Sequence, residues 1–91
     1  MSEQIRVRAT VRGRVQMVGF RAFVMHHGAG LHGTVANRPD GSLECVVEGP
    51  KEDVDRLLGL LREGPAHAAV ESVDLLVEPS RGDLPPMTLR A

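Results

Sequence analysis

The stretch "IRVRATVRG" (residues 5–13) decides how this chain begins to fold. Apolar Ile5, Val7, Ala9 and Val11 alternate with Arg6, Arg8, Thr10 and Arg12. A period of two marks a strand with one face on a core and the other in water. Past Gly13 the period changes: Phe20, Phe23, Val24 and His27 fall at i, i+3, i+4 and i+7, one face of a helix that Gly28 and Gly30 stop early. Between the two lies "GRVQMVGFR" (13–21), a loop with a glycine at each end and an arginine just beyond it. Such a connection either turns the chain or cradles an anion.

Downstream, "GTVAN" (33–37), "RPDGS" (38–42) and "LECVVEG" (43–49) read as strand, turn and strand, with Pro39, Asp40 and Gly41 as turn formers. Leu43, Cys45 and Val47 take one face of the second of these strands, and Glu44, Val46 and Glu48 the other. "PKEDVDRLLGLLREG" (50–64) is the clearest helix: Pro50 suits its first turn, and Glu52, Asp53 and Asp55 favour the positive end of its dipole. Val54, Leu57, Leu58 and Leu61 form its buried stripe, and Gly64-Pro65 ends it. "AVESVDLLVE" (69–78) is a fourth strand, "SRGDLPP" (80–86) a loop, and "MTLR" (87–90) a short edge strand. The order β-α-β-β-α-β predicts an α+β, ferredoxin-like sandwich, an antiparallel sheet with two helices on one face. One domain is expected over residues 1–91.

Apolar residues are 42% and charged residues 25%, a globular balance. With no spanning apolar run and no signal pattern, a cytoplasmic location is expected. The single Cys45 excludes an internal disulfide and reads as a small buried hydrophobe. The net charge of −1 argues against a general polyanion binder, although Arg6, Arg8, Arg12, Arg14 and Arg21 face only Glu3 within residues 1–21. Glu44 and Glu48, on a strand lying between strands 1 and 2, are expected to pair with Arg6 and Arg8. The paired fold also places the C-terminal ends of strands 1 and 2 together, joining the loop, Arg21 and Asn37. A helix N-terminus offers unpaired N–H groups, a tight loop adds more, and Arg21 can grip two oxygens at once. Asn37 can hold a water but is no general base.

His26 and His27 are adjacent and cannot clamp a metal as an i, i+4 pair would; His32 and His67 lie in loop-like sequence, so no metal site is expected. No serine sits in a nucleophile-elbow context, and the loop lacks the spacing of a nucleotide P-loop.

"GRVQMVGFR" followed by "GTVANRPDGSLECVVEG" closely resembles the acylphosphatases, whose signature runs approximately G-x-V-Q-G-V-x-F-R, then G-x-V-x-N-x-x-D-G. The likeness continues through the Leu-rich second helix and "LREGP" to the fourth strand. It implies an enzyme that hydrolyses the carboxyl–phosphate bond of acyl phosphates without metal or cofactor. Carried over by position, the phosphate is held by the backbone of Val15, Gln16, Met17, Val18, Gly19 and Phe20 with Arg21, and Asn37 orients the attacking water. Arg21 and Asn37 are the expected catalytic residues. Inorganic phosphate and similar anions are expected as product or inhibitor, with a monomer and no nucleic-acid or membrane partner.

The chain departs from that pattern in three places. Met17 stands where the family has glycine. If its φ is positive the cost is about 1–2 kcal/mol; if not, its side chain crowds the mouth. The expectation is that its amide still donates while its side chain points away. The stretch from Arg21 to Asn37 is shorter than usual by about half a helical turn, and Thr34 and Ala36 replace larger or charged residues. Two other readings follow: an anion-binding module with weak or no turnover because of Met17, and an RNA-binding domain of the same fold. The latter lacks a stacking platform, having no Trp, no Tyr and both Phe residues on a helix.

Overall fold

The computed structural model describes residues 3–90. Its elements are β1 (Gln4–Arg14), α1 (Phe20–His27), β2 (His32–Asn37), β3 (Leu43–Pro50), α2 (Lys51–Glu63), β4 (Ala69–Glu78) and β5 (Thr88–Leu89). The strands form one sheet in the order β4-β1-β3-β2-β5. β3 is antiparallel to both β1 and β2, through pairs such as Ala9↔Cys45 and Val35↔Cys45, so β1 and β2 run parallel on either side of it. The alternation in β1 holds: Val7, Ala9 and Val11 are buried against the helices. In α2 the stripe Val54, Leu57, Leu58 and Leu61 is buried, as its spacing requires. Phe20 and Val24 anchor α1 in the same core.

Four details differ from expectation. β5 is parallel to β2, with Thr34↔Thr88 and Val35↔Leu89, so the sheet is mixed rather than antiparallel. The chain leaves β4 and crosses to the far side of the sheet, covering what would be the open edge of β2. Along the way the Gly33 amide donates to Pro85 O at 2.8 Å and the Arg90 amide to Val35 O at 2.9 Å. Pro50 is not in the first turn of α2. It ends β3 opposite Gln4 with ψ 136°, and the helix starts at Lys51. His27 does not join the core; it is exposed and its ring lies tilted by 58° against half-buried Phe23, with ring centroids 4.4 Å apart.

The fourth difference concerns the arginine face of β1, which is not uniformly wet. Arg6 is only 8% exposed because residues 80–83 fold across it. Its guanidinium donates to Glu78 at 3.0 Å and Asp83 at 2.7 Å, and lies 3.5 Å from Glu48 as an ion pair without a hydrogen bond. Arg8 bridges Glu78 at 3.0 Å and Glu44 at 3.1 Å. The pairing of Glu44 and Glu48 with Arg8 and Arg6 therefore holds, with Glu78 of β4 as the shared third partner. The other carboxylate oxygen of Glu48 accepts from the Ser80 hydroxyl at 2.8 Å and the Gly82 amide at 2.7 Å. Burial pushes the Glu48 carboxyl up, but the Ser80 hydroxyl, the Gly82 and Arg81 amides and the Arg6 charge outweigh it and hold it below its usual range. Arg8, then Arg6, hold Glu78 below its usual range as well.

Both carboxyls therefore bind fewer protons folded than unfolded. Their stabilisation is complete above the ordinary value of 4.5 and is lost as pH falls through their lower folded values. Urea melts should show stability declining on acidification below that point. Glu48→Gln should be less stable than the parent at neutral pH and should have a shallower acid slope; an unchanged slope would refute this role for Glu48.

Candidate active site

β1 leaves β3 after Val11↔Leu43, and a bulge at Arg12/Gly13 bends it while it stays paired to β4 as far as Arg14↔Ala69. Gly13 has φ 124°, and a Cβ there would lie 2.2 Å from the Ala69 carbonyl oxygen, so the bend requires glycine. Val15, 1% exposed, pins the start of the loop in the core. Gln16 then fastens the loop to the β2–β3 turn: its Nε2 donates to Arg38 O at 2.7 Å and Ser42 O at 2.9 Å. The turn is itself braced, since Asp40 Oδ1 accepts from the Ser42 amide at 3.0 Å and hydroxyl at 2.6 Å. The loop is thus tied to the segment that follows Asn37.

Gly19 closes the loop as the N-cap of α1 at φ 80°, and no side chain caps the helix. Among the described residues, the amides of Gln16 through Ala22 have no acceptor within the protein. No acidic residue occupies the first turn of α1, so its partial positive charge is unopposed locally. Arg21 is exposed and has no acidic partner among the described residues. Asn37 Oδ1 is enclosed and accepts no hydrogen bond. A half-turn about χ2 exchanges it with Nδ2, so the carboxamide can offer a water either an acceptor or a donor.

These groups meet in one cavity of about 250 Å³, lined by Val15, Met17, Gly19, Phe20, Arg21, Ala22, Asn37 and Leu89. Arg21 and Asn37 are sixteen residues apart in the chain, and it is the parallel β1/β2 arrangement that unites them. Of the loop residues expected at the site, Gln16 and Val18 do not line the cavity. Gln16 braces the loop from behind and Val18 packs against the core. Ala22 and Leu89 also line the cavity. Ala22 follows from the helical turn beginning at Phe20, whereas Leu89 depends on where β5 docks.

Met17 has φ 61°, the one non-glycine residue with positive φ among those described. Its side chain is 101% exposed, so it points away from the fold while its backbone takes the left-handed form that glycine adopts readily. That conformation costs a non-glycine residue about 1–2 kcal/mol, against about 0.4–1 kcal/mol of extra unfolded-state entropy for glycine. Met17→Gly should therefore raise stability by roughly 0.5–1 kcal/mol, a few degrees in Tm for a domain of this size. A fall in Tm on thermal unfolding would contradict the strain.

No group of three or more His, Cys, Asp or Glu able to hold a metal occurs among the described residues. His26 and His27 do not point apart as adjacent helical positions suggest; their rings meet edge-on with centroids 4.9 Å apart, in the last turn of α1. Cys45 is fully buried, and burial, then the Glu44 charge, push its thiol up to about 12, which suits packing rather than nucleophilic attack. Phe20 is buried and Phe23 half-buried in α1, so neither forms a base-stacking surface on the sheet. No helix among the described residues is long and apolar enough to cross a membrane.

The fold is a ferredoxin-like α+β domain whose strand–loop–helix junction opens a cavity lined by Arg21 and Asn37. The acylphosphatase family model matches residues 7–85, and the chain belongs to that family. An acylphosphatase of Caldivirga maquilingensis is 48% identical over 85 residues, covering 90% of this chain and 87% of the relative. One from Deinococcus radiodurans is 46% identical over 72 residues, covering 77% and 83%. The crystal structure of acylphosphatase from Bacillus subtilis superposes with a TM-score of 0.91 at 29% identity, covering 96% of this chain and 99% of that one. These relatives support a hydrolase and lend nothing to an anion-binding module without turnover.

Proposed function

We propose that this protein hydrolyses the carboxyl–phosphate bond of acyl phosphates, giving a carboxylate and inorganic phosphate. The observation that carries this reading is the convergence in one cavity of Arg21, the Asn37 carboxamide and an N-terminal helical turn, with Arg21 and the turn's amides unpaired among the described residues. The phosphate sits on the backbone of Val15 to Phe20, with Arg21 spanning two of its oxygens. Asn37 holds a water in line with the bond to be broken. The water oxygen bonds to phosphorus as the P–O bond to the acyl group breaks, and the electron pair leaves on a carboxylate. That leaving group needs no general acid, and the water's proton passes to a phosphate oxygen. Catalysis then consists of positioning and charge stabilisation.

The same reading takes residues 1–91 as a single catalytic domain acting as a monomer in the cytoplasm, with inorganic phosphate as a product inhibitor and no nucleic-acid partner. Hydrolysis of benzoyl phosphate with metals chelated tests it. Turnover well above buffer is expected, inhibited competitively by phosphate. A folded sample with no turnover would sink the proposal.

A further inference from the structure

The sheet ends in two different edges. Beyond β2 the C-terminal segment supplies β5, whereas β4 pairs only with β1 among the described residues. The backbone groups on the outer side of β4 therefore face no strand. Three of the five exposed large hydrophobic side chains among those residues are consecutive there, Leu75 at 42%, Leu76 at 59% and Val77 at 73%. Residues 69–78 contain neither the proline nor the lysine that commonly guards an edge. Arg12 already answers Asp74, and Arg6 and Arg8 answer Glu78. The regular part of β4 runs from Ser72 to Glu78, opposite Arg12 to Arg6, with Glu71 the extra residue at the bulge. Its midpoint is Leu75. Val73, Leu75 and Val77 share the helix side with Val11, Ala9 and Val7, while Ser72, Asp74, Leu76 and Glu78 share the other face.

We propose that β4 is a homodimer interface, pairing antiparallel with β4 of a second copy about a twofold axis through Leu75. That register sets Leu75 against Leu75 and Val73 against Val77, an unbroken apolar ladder on the helix side. On the other face it sets Asp74 against Leu76 and Ser72 against Glu78, so no two acids meet. Moving the axis to Leu76 would oppose Asp74 and Glu78, and moving it to Val77 would bring Leu75 against Pro79, which has no N–H to give. Each chain has one such edge, so the assembly closes at two copies. A single strand edge covers less than the roughly 1,200 Å² of a stable complex, so the dimer forms as concentration rises and parts on dilution. Catalysis remains that of the single chain, because β1 and β3 separate β4 from β2, where Asn37 lies.

Sedimentation equilibrium from about 10 μM to 1 mM tests this, and a monomer–dimer equilibrium is expected. Leu75→Lys puts two like charges together on the axis and should weaken association by about tenfold or more. Leu76→Lys changes a more exposed residue but faces Asp74 of the second copy, so association should persist or tighten. Indiscriminate apolar sticking would weaken in both. Cysteine variants in a glutathione redox buffer report the register and keep the test decisive if Leu75→Lys fails to fold. Leu75→Cys should form a disulfide-linked dimer, because opposed Cα atoms in an antiparallel pair lie about 4.5–5.5 Å apart. Val77→Cys has no counterpart within reach, and the native Cys45 is buried. A single chain's mass up to the highest concentration, oligomers larger than two, equal loss in Leu75→Lys and Leu76→Lys, or equal cross-linking of the two cysteine variants overturns the interface.

Discussion

Arg21→Ala is expected to lower kcat/KM for benzoyl phosphate by about 10³-fold or more, the scale on which a single arginine stabilises phosphoryl transfer. Arg21 has no acidic partner among the described residues, so its removal leaves no buried carboxylate stranded and the fold should persist. The loss should appear in both kcat and KM, because the guanidinium grips the phosphate before and during the reaction. Lysine should not restore it, since a point charge cannot span two oxygens. Asn37→Ala should instead lower kcat by about 10²-fold with a smaller change in KM, because the carboxamide acts on the water. Steady-state kinetics on folded variants separate the two roles. If Arg21→Ala retained more than a tenth of the parental kcat/KM, Arg21 could not be the phosphate ligand.

Arg6→Met is expected to cost about 3 kcal/mol or more of stability, a large share of what a small domain has. The Arg6 side chain is 10% exposed and faces Glu48 at 8% and Glu78 at 21%. Removing the cation leaves two desolvated carboxylates, although Arg8 still reaches Glu78. Pairing the change with Glu48→Leu should recover part of the loss, because apolar packing can replace a buried ion pair where half a pair cannot survive. A double-mutant cycle in urea measures the coupling. Additive effects would mean that Arg6 and Glu48 do not act on one another.

The two positions illustrate which features can be read in the chain. Period-two alternation in "IRVRATVRG" and period-3.6 spacing in α2 are local. Burial follows them directly, as Val7, Ala9, Val11, Leu57 and Leu61 attest. The meeting of Arg21 and Asn37 was legible one level up, because a split β-α-β order forces β1 and β2 parallel and aligns their ends. Arg6 was legible only as a charge on the outer face of a strand. Its burial depends on residues 80–83, more than seventy positions away in a segment without periodicity. Met17 was legible as a substitution in a glycine position, but its φ of 61° and full exposure depend on the bulge at Gly13 and the Gln16 brace.

The main strands, the helices, their order and the charged and polar groups at the site are readable along the chain, because these rest on neighbours within a few residues. The parallel docking of β5, the covering of Arg6 and the arrival of Leu89 at the cavity that Arg21 lines come only from the tertiary packing. All three depend on a non-repetitive C-terminal segment satisfying its backbone hydrogen bonds against β2 and its charges against β1. A segment without a pattern of its own takes its position from the unpaired groups the rest of the fold leaves open.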